Sequence, residues 1–490
     1  MSSASSDLGS PAGKSRAELN EIDASTKLPV LLFLVSGAVW LVVSSLLGLI
    51  ASTQLVQPTF FADCEWFTHG RVKPMAQNAF VYGWAFNAAF AVIVWLMARL
   101  SRTVAASPVT TFVGGLFWNA GVSAGLIGIM IGDTTGYKLL EMPGYVAPLL
   151  FVAYGLIGGG VAITFGRGRS FTVYATQWYL LAAVFWFPWL YSIAQVTLVH
   201  SAPRGTAQAI TAAWYSFSVY GLFLAPVALG AIYYLLPKRL GRSIAGYSLA
   251  RFGFWSYAVL ITFAGMGQLV GSPVPAWVQT VGVSANVFLL IPAFVFGLNF
   301  IVTMVKAPRG VAGGPALNFV RFGALMFLLS LLLGIYVSLP SVAKILQLTL
   351  AGDALDQLRF YGFVSMVLFG AIYFLVPRVV VDRWPSGALI FAHFWASALG
   401  ILLVVGSLLI GGFVQGAAIN DAVRFESFTA VVSATQPFVF ASVLGLLLLL
   451  IGHLAYLVHV IQVTVSSLVT SKQDSAETLF PNPPALEVNR

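Results

Sequence analysis

The sequence predicts an all-α polytopic membrane protein of about twelve transmembrane helices, arranged as three pseudo-repeated four-helix units. Three observations carry this. Apolar residues fill 59% of the 490 positions and charged ones only 8%, and the mean hydropathy of +0.90 lies far above that of a soluble domain. The apolar residues fall in runs long enough to cross a bilayer core, which takes about 20 residues per helix. Similar strings then recur at one end of every fourth run.

In chain order the runs begin near Leu28, Asn78, Pro108, Val146, Tyr174, Gln208, Phe252, Val278, Ala316, Leu355, Gly387 and Pro437. Residues 1–27 are rich in serine and carry both signs of charge, so they read as a disordered cytoplasmic tail. The next run is too long for a cleaved signal and reads as an uncleaved span. Residues 28–470 form the membrane domain, and 471–490 a second cytoplasmic tail. The single cysteine, Cys64, leaves no partner for an internal disulfide.

A net charge of +9 would suit a polyanion partner, but its distribution argues otherwise. With the N-terminus inside, Arg71, Lys73, Lys138, Arg204, Lys344, Arg359 and Arg424 lie outside, and the other 18 of the 25 basic residues lie in inner loops and tails. That is the positive-inside pattern: the charge reports topology, with both termini cytoplasmic, and the partner surface is membrane lipid rather than nucleic acid.

The repeat shows at three inner helix ends. "WLMARLSR" ends at Arg102, "YLLPKRLGR" ends at Arg242, and "GAIYFLVPRVV" places Pro377 and Arg378 where "GAIYYLLPKRL" has Pro237 and Lys238. Positions 98, 238 and 378 align at a constant offset of 140, in the second, sixth and tenth spans. Four helices per unit keep every copy pointing the same way, which predicts a pseudo-threefold body. An inverted repeat would need an odd number of helices per unit.

Ionisable groups within the hydrocarbon mark ion paths and redox sites because they are costly to keep there. No Asp, Glu, Lys or Arg falls near the centre of a span; Asp133, Asp353, Asp356 and Arg359 fall near outer ends, and Asp356 and Arg359 are spaced to pair on one helical face. Of five histidines, His69 and His200 fall in outer loops, His393 near the inner end of the eleventh span, and His453 and His459 in the last. His453 and His459, six residues apart, do not share a helical face. His393 and His459 are the one pair placed to reach a common depth, either as a haem or metal site or as two hydrogen-bonded core imidazoles. The loop "ADCEWFTHG" gathers Asp63, Cys64, Glu65 and His69, but without the second closely spaced ligand pair of a zinc site it reads as a solvated loop. The aromatic run "QWYLLAAVFWFPWLY" suits helix packing, and "YGLIGGGVAITFGRGR" comes after no strand and suits close helix approach rather than phosphate binding.

The strings "HGRVKPMAQNAFVYGW", "APRGTAQAITAAWY", "GAIYYLLPK", "PAWVQTVG", "GAIYFLVPR" and "AHFWASALGI", in this order, resemble subunit I of the haem-copper oxidases, most nearly the cbb3-type cytochrome c oxidases, with nitric oxide reductases as cousins. The resemblance implies a haem-copper oxidase subunit I-like fold, haem b, a high-spin haem and copper, and cytochrome c-type subunits as partners. Carried over position by position, it also implies that the ligands are gone. Ala76 stands where the low-spin haem histidine belongs, and Phe217 where a copper histidine comes after Trp-Tyr. Gly267 and Gln268 replace the adjacent histidine pair, Leu355 and Gln357 replace the His-x-His that serves both haems, and Ile261 takes the place of the cross-linked tyrosine. Phe217, Leu355, Phe360 and Tyr361 have the bulk to fill part of the space, whereas Ala76 and Gly267 do not, so a residual cavity able to hold a lipid tail or quinone is one expected consequence.

Three readings are open at this point. The first is a cofactor-free scaffold with no catalytic residue and no metal, docking cytochrome c subunits or another complex in a bacterial inner membrane. The second is an oxidoreductase holding haem or quinone through unusual ligands, with His393 and His459 as the pair. The third is a carrier of a neutral or lipid-like substrate.

Overall fold

The computed structural model describes residues 16–479 apart from 169–172, 202–203, 308–313, 381–382 and 422. The regular structure among the described residues is all helical, with no strand, and twelve helices are long and apolar enough to cross a membrane. These spans run Lys27–Val56, His69–Ser101, Pro108–Ile131, Gly144–Gly166, Ala175–His200, Thr206–Leu240, Tyr247–Leu269, Ala276–Val305, Gly314–Ser338, Leu350–Val379, Gly387–Asn420 and Phe428–Val469. Several begin a turn or more before the start of the apolar run, because mixed polar turns such as His69–Asn78 extend the helix. His69 is accordingly a helix-starting residue rather than a loop residue.

Burial separates the spans into two classes. The most apolar stretch of the second and sixth spans is 100% buried and that of the tenth 83%, against 39–50% in the other nine. The three helices that carry the repeated inner end are therefore a central trio, and nine helices present apolar faces such as Phe185, Phe294 and Leu402 to lipid.

Each central helix is broken by a π-helical segment: Ala79–Ala85, Val219–Leu224 and Leu358–Ser365. The same dipeptide sits in each, as Tyr82-Gly83, Tyr220-Gly221 and Tyr361-Gly362. Widening a helix releases backbone carbonyls, and neighbouring side chains satisfy them: Trp118 Nε1 donates to the Tyr82 carbonyl at 2.8 Å, and Tyr257 Oη to that of Gly221 at 3.1 Å. A side chain has no place at the first two glycines. A Cβ would meet Trp40 Cγ at 2.6 Å at Gly83, and Ile261 Cγ1 at 2.6 Å at Gly221.

The N-terminal region departs from the expectation of disorder through residue 27. Arg16–Ser25 is a helix, and Asp23 explains why it is held. Its carboxylate accepts from Trp95 Nε1 at 2.9 Å and from the Arg99 guanidinium at 2.7 Å, so the tail is anchored to the C-terminal end of the second span. Ile22 beside it is 1% exposed. Residues 1–15 and 480–490, with Lys14, Arg169, Arg309 and Arg490, lie outside the described residues.

Candidate functional site: the replaced ligand positions

Ala76, Phe217 and Gln357 occupy equivalent places on the three central helices, each one to three residues before the π segment. The pseudo-threefold axis therefore brings them around one interior region, although they lie 141 and 140 residues apart in sequence. The region has two halves, and they have diverged.

The half near Phe217 is filled. Phe217 is 6% exposed and lies beneath the Arg359 guanidinium, whose carbon is 5.0 Å from the ring centroid and 5.8 Å from that of Tyr220. Arg359 also pairs with Asp356 at 3.7 Å, as their spacing predicts, and Asp356 in turn bonds Lys138. Water access at an outer helix end was the expectation for Arg359; instead its side chain is 11% exposed, because two aromatic rings cover it and replace water as the partner of its charge. The opposite wall has closed as well. Gly267 lies in the 3₁₀ turn Gly265–Leu269 that ends the seventh span, pressed so closely on the eighth that a Cβ at Gly282 would lie 2.2 Å from the Gly267 nitrogen. Asn286 Nδ2 fastens this contact, donating to the carbonyls of Ala264 at 2.8 Å and Gly282 at 2.9 Å. Ile261 packs on Gly221, and the Gln268 carbonyl accepts from Gln347. About 10 Å³ remains open between Phe217, Tyr220, Gln268 and Arg359.

The half near Ala76 and Gln357 is not filled. These two residues line a cavity of about 140 Å³ enclosed by the first, second, tenth, eleventh and twelfth spans. Phe80 and Tyr361, stacked with centroids 4.0 Å apart, take up space beside it. Leu355, on the other hand, is buried at 6% exposure and is not among the residues lining this cavity.

A haem does not fit what is present. An apolar protein cavity of about 150 Å³ accommodates one benzene, so a macrocycle of four pyrrole rings needs roughly four times that volume. The residues facing each other across the cavity are a methyl group and an amide rather than two imidazoles. On the copper side the ligand position holds a phenyl ring under a guanidinium, neither of which has a lone pair for a metal, and the one carboxylate nearby, Asp356, is paired with Lys138 and Arg359.

His69 lines the open cavity beside Lys73, its Nδ1 bonded to the Ala51 carbonyl at 3.1 Å, and the other histidines do not line it. His393 and His459, the pair expected to reach a common depth, both flank Tyr373, with centroids 5.8 and 6.2 Å from its ring. The imidazole nearest His393 is instead that of His453, at 6.3 Å, because the last helix turns His453 toward the interior and His459 toward Trp384, 4.5 Å away. Each is hydrogen-bonded: His393 Nδ1 with the Tyr373 hydroxyl at 2.8 Å, His453 Nδ1 with Ser45 Oγ at 2.7 Å, and His459 Nε2 with the Ser386 amide at 3.3 Å. Phe369 and Tyr456, at 4.3 and 5.1 Å from the His393 ring, occupy the space a porphyrin would need there. Among the described residues no three of His, Cys, Asp or Glu converge.

Two polar contacts of the outer half have no precedent in the sequence reading. Glu141, in the loop after the third span, is 6% exposed and accepts from Asn78 Nδ2 at 2.7 Å; burial raises its carboxyl above the ordinary carboxylate range. Tyr82 gives its proton to the Leu139 carbonyl at 2.5 Å and therefore accepts from Tyr215 at 2.7 Å, which ties the second span to the sixth. The repeated Tyr-Gly dipeptide was the visible signal for these central bulges.

Comparison with known proteins agrees with this architecture. The family "Cytochrome C and Quinol oxidase polypeptide I" matches residues 28–448. The cbb3-type cytochrome c oxidase subunit CcoN1 of Stutzerimonas stutzeri is 26% identical over 422 residues, covering 83% of this chain and 88% of that protein. A cytochrome c oxidase subunit 1 homolog of Azorhizobium caulinodans is 26% identical, covering 90% and 82%. Among solved structures, a heme-copper terminal oxidase dimer superposes with a TM-score of 0.64 at 13% identity, over 92% of this chain and 84% of that one, which shows a shared fold. The chain belongs to the cytochrome c and quinol oxidase polypeptide I family, as a multi-pass membrane protein with the haem-copper oxidase subunit I architecture.

Proposed function

We propose that this chain is a haem-free, copper-free member of its family that works as a non-catalytic scaffold subunit of a membrane complex. One observation carries the reading: the three symmetry-related positions before the π bulges hold Ala76, Phe217 and Gln357, and a buried guanidinium lies over the second of them. Electron transfer to oxygen needs a redox centre, and no side chain here substitutes for one. The fold meanwhile keeps what a partner would dock on, a large apolar perimeter around the buried central trio. Cytochrome c-type subunits, or another membrane complex, are the partners this reading implies, in a bacterial inner membrane with both termini cytoplasmic.

The test is a reduced-minus-oxidised spectrum with metal analysis on the full chain purified from a haem-replete bacterial host. The reading expects no stoichiometric iron, copper or Soret absorbance, together with co-purification of other membrane subunits. One haem b with copper per chain would overturn it.

A further inference from the structure

The cavity beside Ala76 has a chemical character beyond its size. At its outer mouth the charges are matched, Lys73 with Asp353 at 3.2 Å and Lys138 with Asp356, so neither an anion nor a cation gains there. Deeper in, three polar groups of the wall offer acceptors. Ser442 Oγ gives its proton to the Val439 carbonyl at 2.6 Å, and Ser44 Oγ gives its own to that of Leu41 at 2.9 Å, so both hydroxyls have only lone pairs left to offer. Gln357 Oε1 is buried with no hydrogen-bond partner in the protein. An acceptor left so costs free energy unless a donor meets it. Ser45, Ser52, His69 and Gln77 also line the cavity, and the apolar part of its wall is formed by the Phe80–Tyr361 stack together with Val404, Leu408 and Leu449.

We propose that this cavity is a binding site for a neutral, single-ring molecule bearing a hydroxyl group, with the ring against Phe80 and Tyr361 and the hydroxyl donating to Gln357 Oε1. The volume of about 140 Å³ matches one six-membered ring. The unpartnered Gln357 oxygen selects a donor, and the paired charges at the mouth disfavour a charged ligand. The site rests on the haem-free reading, since an axial histidine in place of Ala76 and a bound macrocycle would consume the same space.

The experiment titrates phenol, benzene and benzoate against the full chain in lipid nanodiscs, reading saturation-transfer NMR and thermal shift against empty nanodiscs. Phenol is expected to bind about tenfold more tightly than benzene, the effect of one hydrogen bond to a buried acceptor, and benzoate not at all. Filling the cavity with Ala76→Phe should abolish phenol binding. Gln357→Leu, which leaves the volume nearly unchanged, should bring phenol down to the affinity of benzene. If phenol binds both variants as it binds the native chain, the signal is membrane partitioning and the proposal falls. If none of the three ligands binds, the cavity holds water only and the proposal falls likewise. A Soret band in the same preparation would overturn the haem-free reading, whereas its absence together with a failed phenol titration would overturn this site alone.

Discussion

Returning histidines to Ala76 and Gln357 is expected to leave the chain without haem, and the reason is space. The two positions face the same cavity, so Ala76→His with Gln357→His restores a plausible axial pair. The cavity measures about 140 Å³, however, and two imidazoles would consume part of it. By the benzene comparison a porphyrin needs roughly four times that volume. The shortfall lies where Phe80 and Tyr361 stack at 4.0 Å, with Phe360 edge-on to Phe80 at 6.3 Å. Clearing that stack by truncation would cost about 3–5 kcal/mol for each ring, a price that one pair of axial bonds has to exceed before any haem enters. The assay is the pyridine haemochrome content of the purified double variant, with its reduced-minus-oxidised spectrum. A bis-histidine haem b at one per chain would refute the reasoning, because it would mean that the Phe80–Tyr361 stack yields and that the missing imidazoles alone account for the missing cofactor.

Other expectations concern the frame around this site. Gly282→Ala should lower the melting temperature by an overpacking cost of about 1–3 kcal/mol or more, since its Cβ would lie 2.2 Å from the Gly267 nitrogen, whereas Gly155→Ala, with nothing within 4 Å, should be neutral in the same thermal unfolding assay. Asp23→Ala should release the N-terminal helix by stranding the Trp95 and Arg99 donors, a loss of roughly 2–4 kcal/mol that reads out as faster proteolysis near residues 16–25 with the membrane domain intact. Glu141→Gln removes a buried carboxylate whose folded pKa lies above its unfolded value, so the folded state binds the extra proton. That contribution is fully present below the ordinary carboxylate range and is lost as pH rises, so the melting temperature of the native chain relative to the variant should improve as pH falls from neutrality toward 5 or below. An unchanged difference across that range would contradict the assignment.

The sequence made the architecture legible because bilayer thickness and backbone hydrogen bonding leave few alternatives to a bundle of helices about 20 residues long. The offset of 140 between inner helix ends identified the trio that the burial pattern places at the centre. Less was legible about the interior. That Arg359 is covered by Phe217 and Tyr220 depends on two helices 140 residues apart meeting, which local hydropathy does not encode. The pairing of His393 with His453 rather than His459 turns on the rotation of one long helix, and a periodicity argument fixes relative faces without fixing which face points inward. Order in Arg16–Ser25 escaped composition for the same reason: Asp23 is an ordinary solvated carboxylate until Trp95 and Arg99 are brought to it.

The central π bulges bear most directly on how a family member could lose its cofactors and keep its fold. The first two bulges depend on contacts outside the ligand positions: a glycine pressed against a neighbouring span at Gly83 and Gly221, and a carbonyl taken by Trp118 or Tyr257. Trp84 Nε1, within the first bulge, donates at 2.9 Å to Ser365 Oγ at the end of the third, so the bulges also brace one another. A histidine just before a bulge can therefore change to alanine, phenylalanine or glutamine without unwinding the helix that carries it. The consequence of such a change is local and depends on the residue that replaces the imidazole. A phenyl ring at 217 filled its half and took a buried arginine as its partner, while a methyl group at 76 left its half open. On the haem-free reading, the filled half contributes packing, and the open one, between Ala76 and Gln357, is where a ligand would sit.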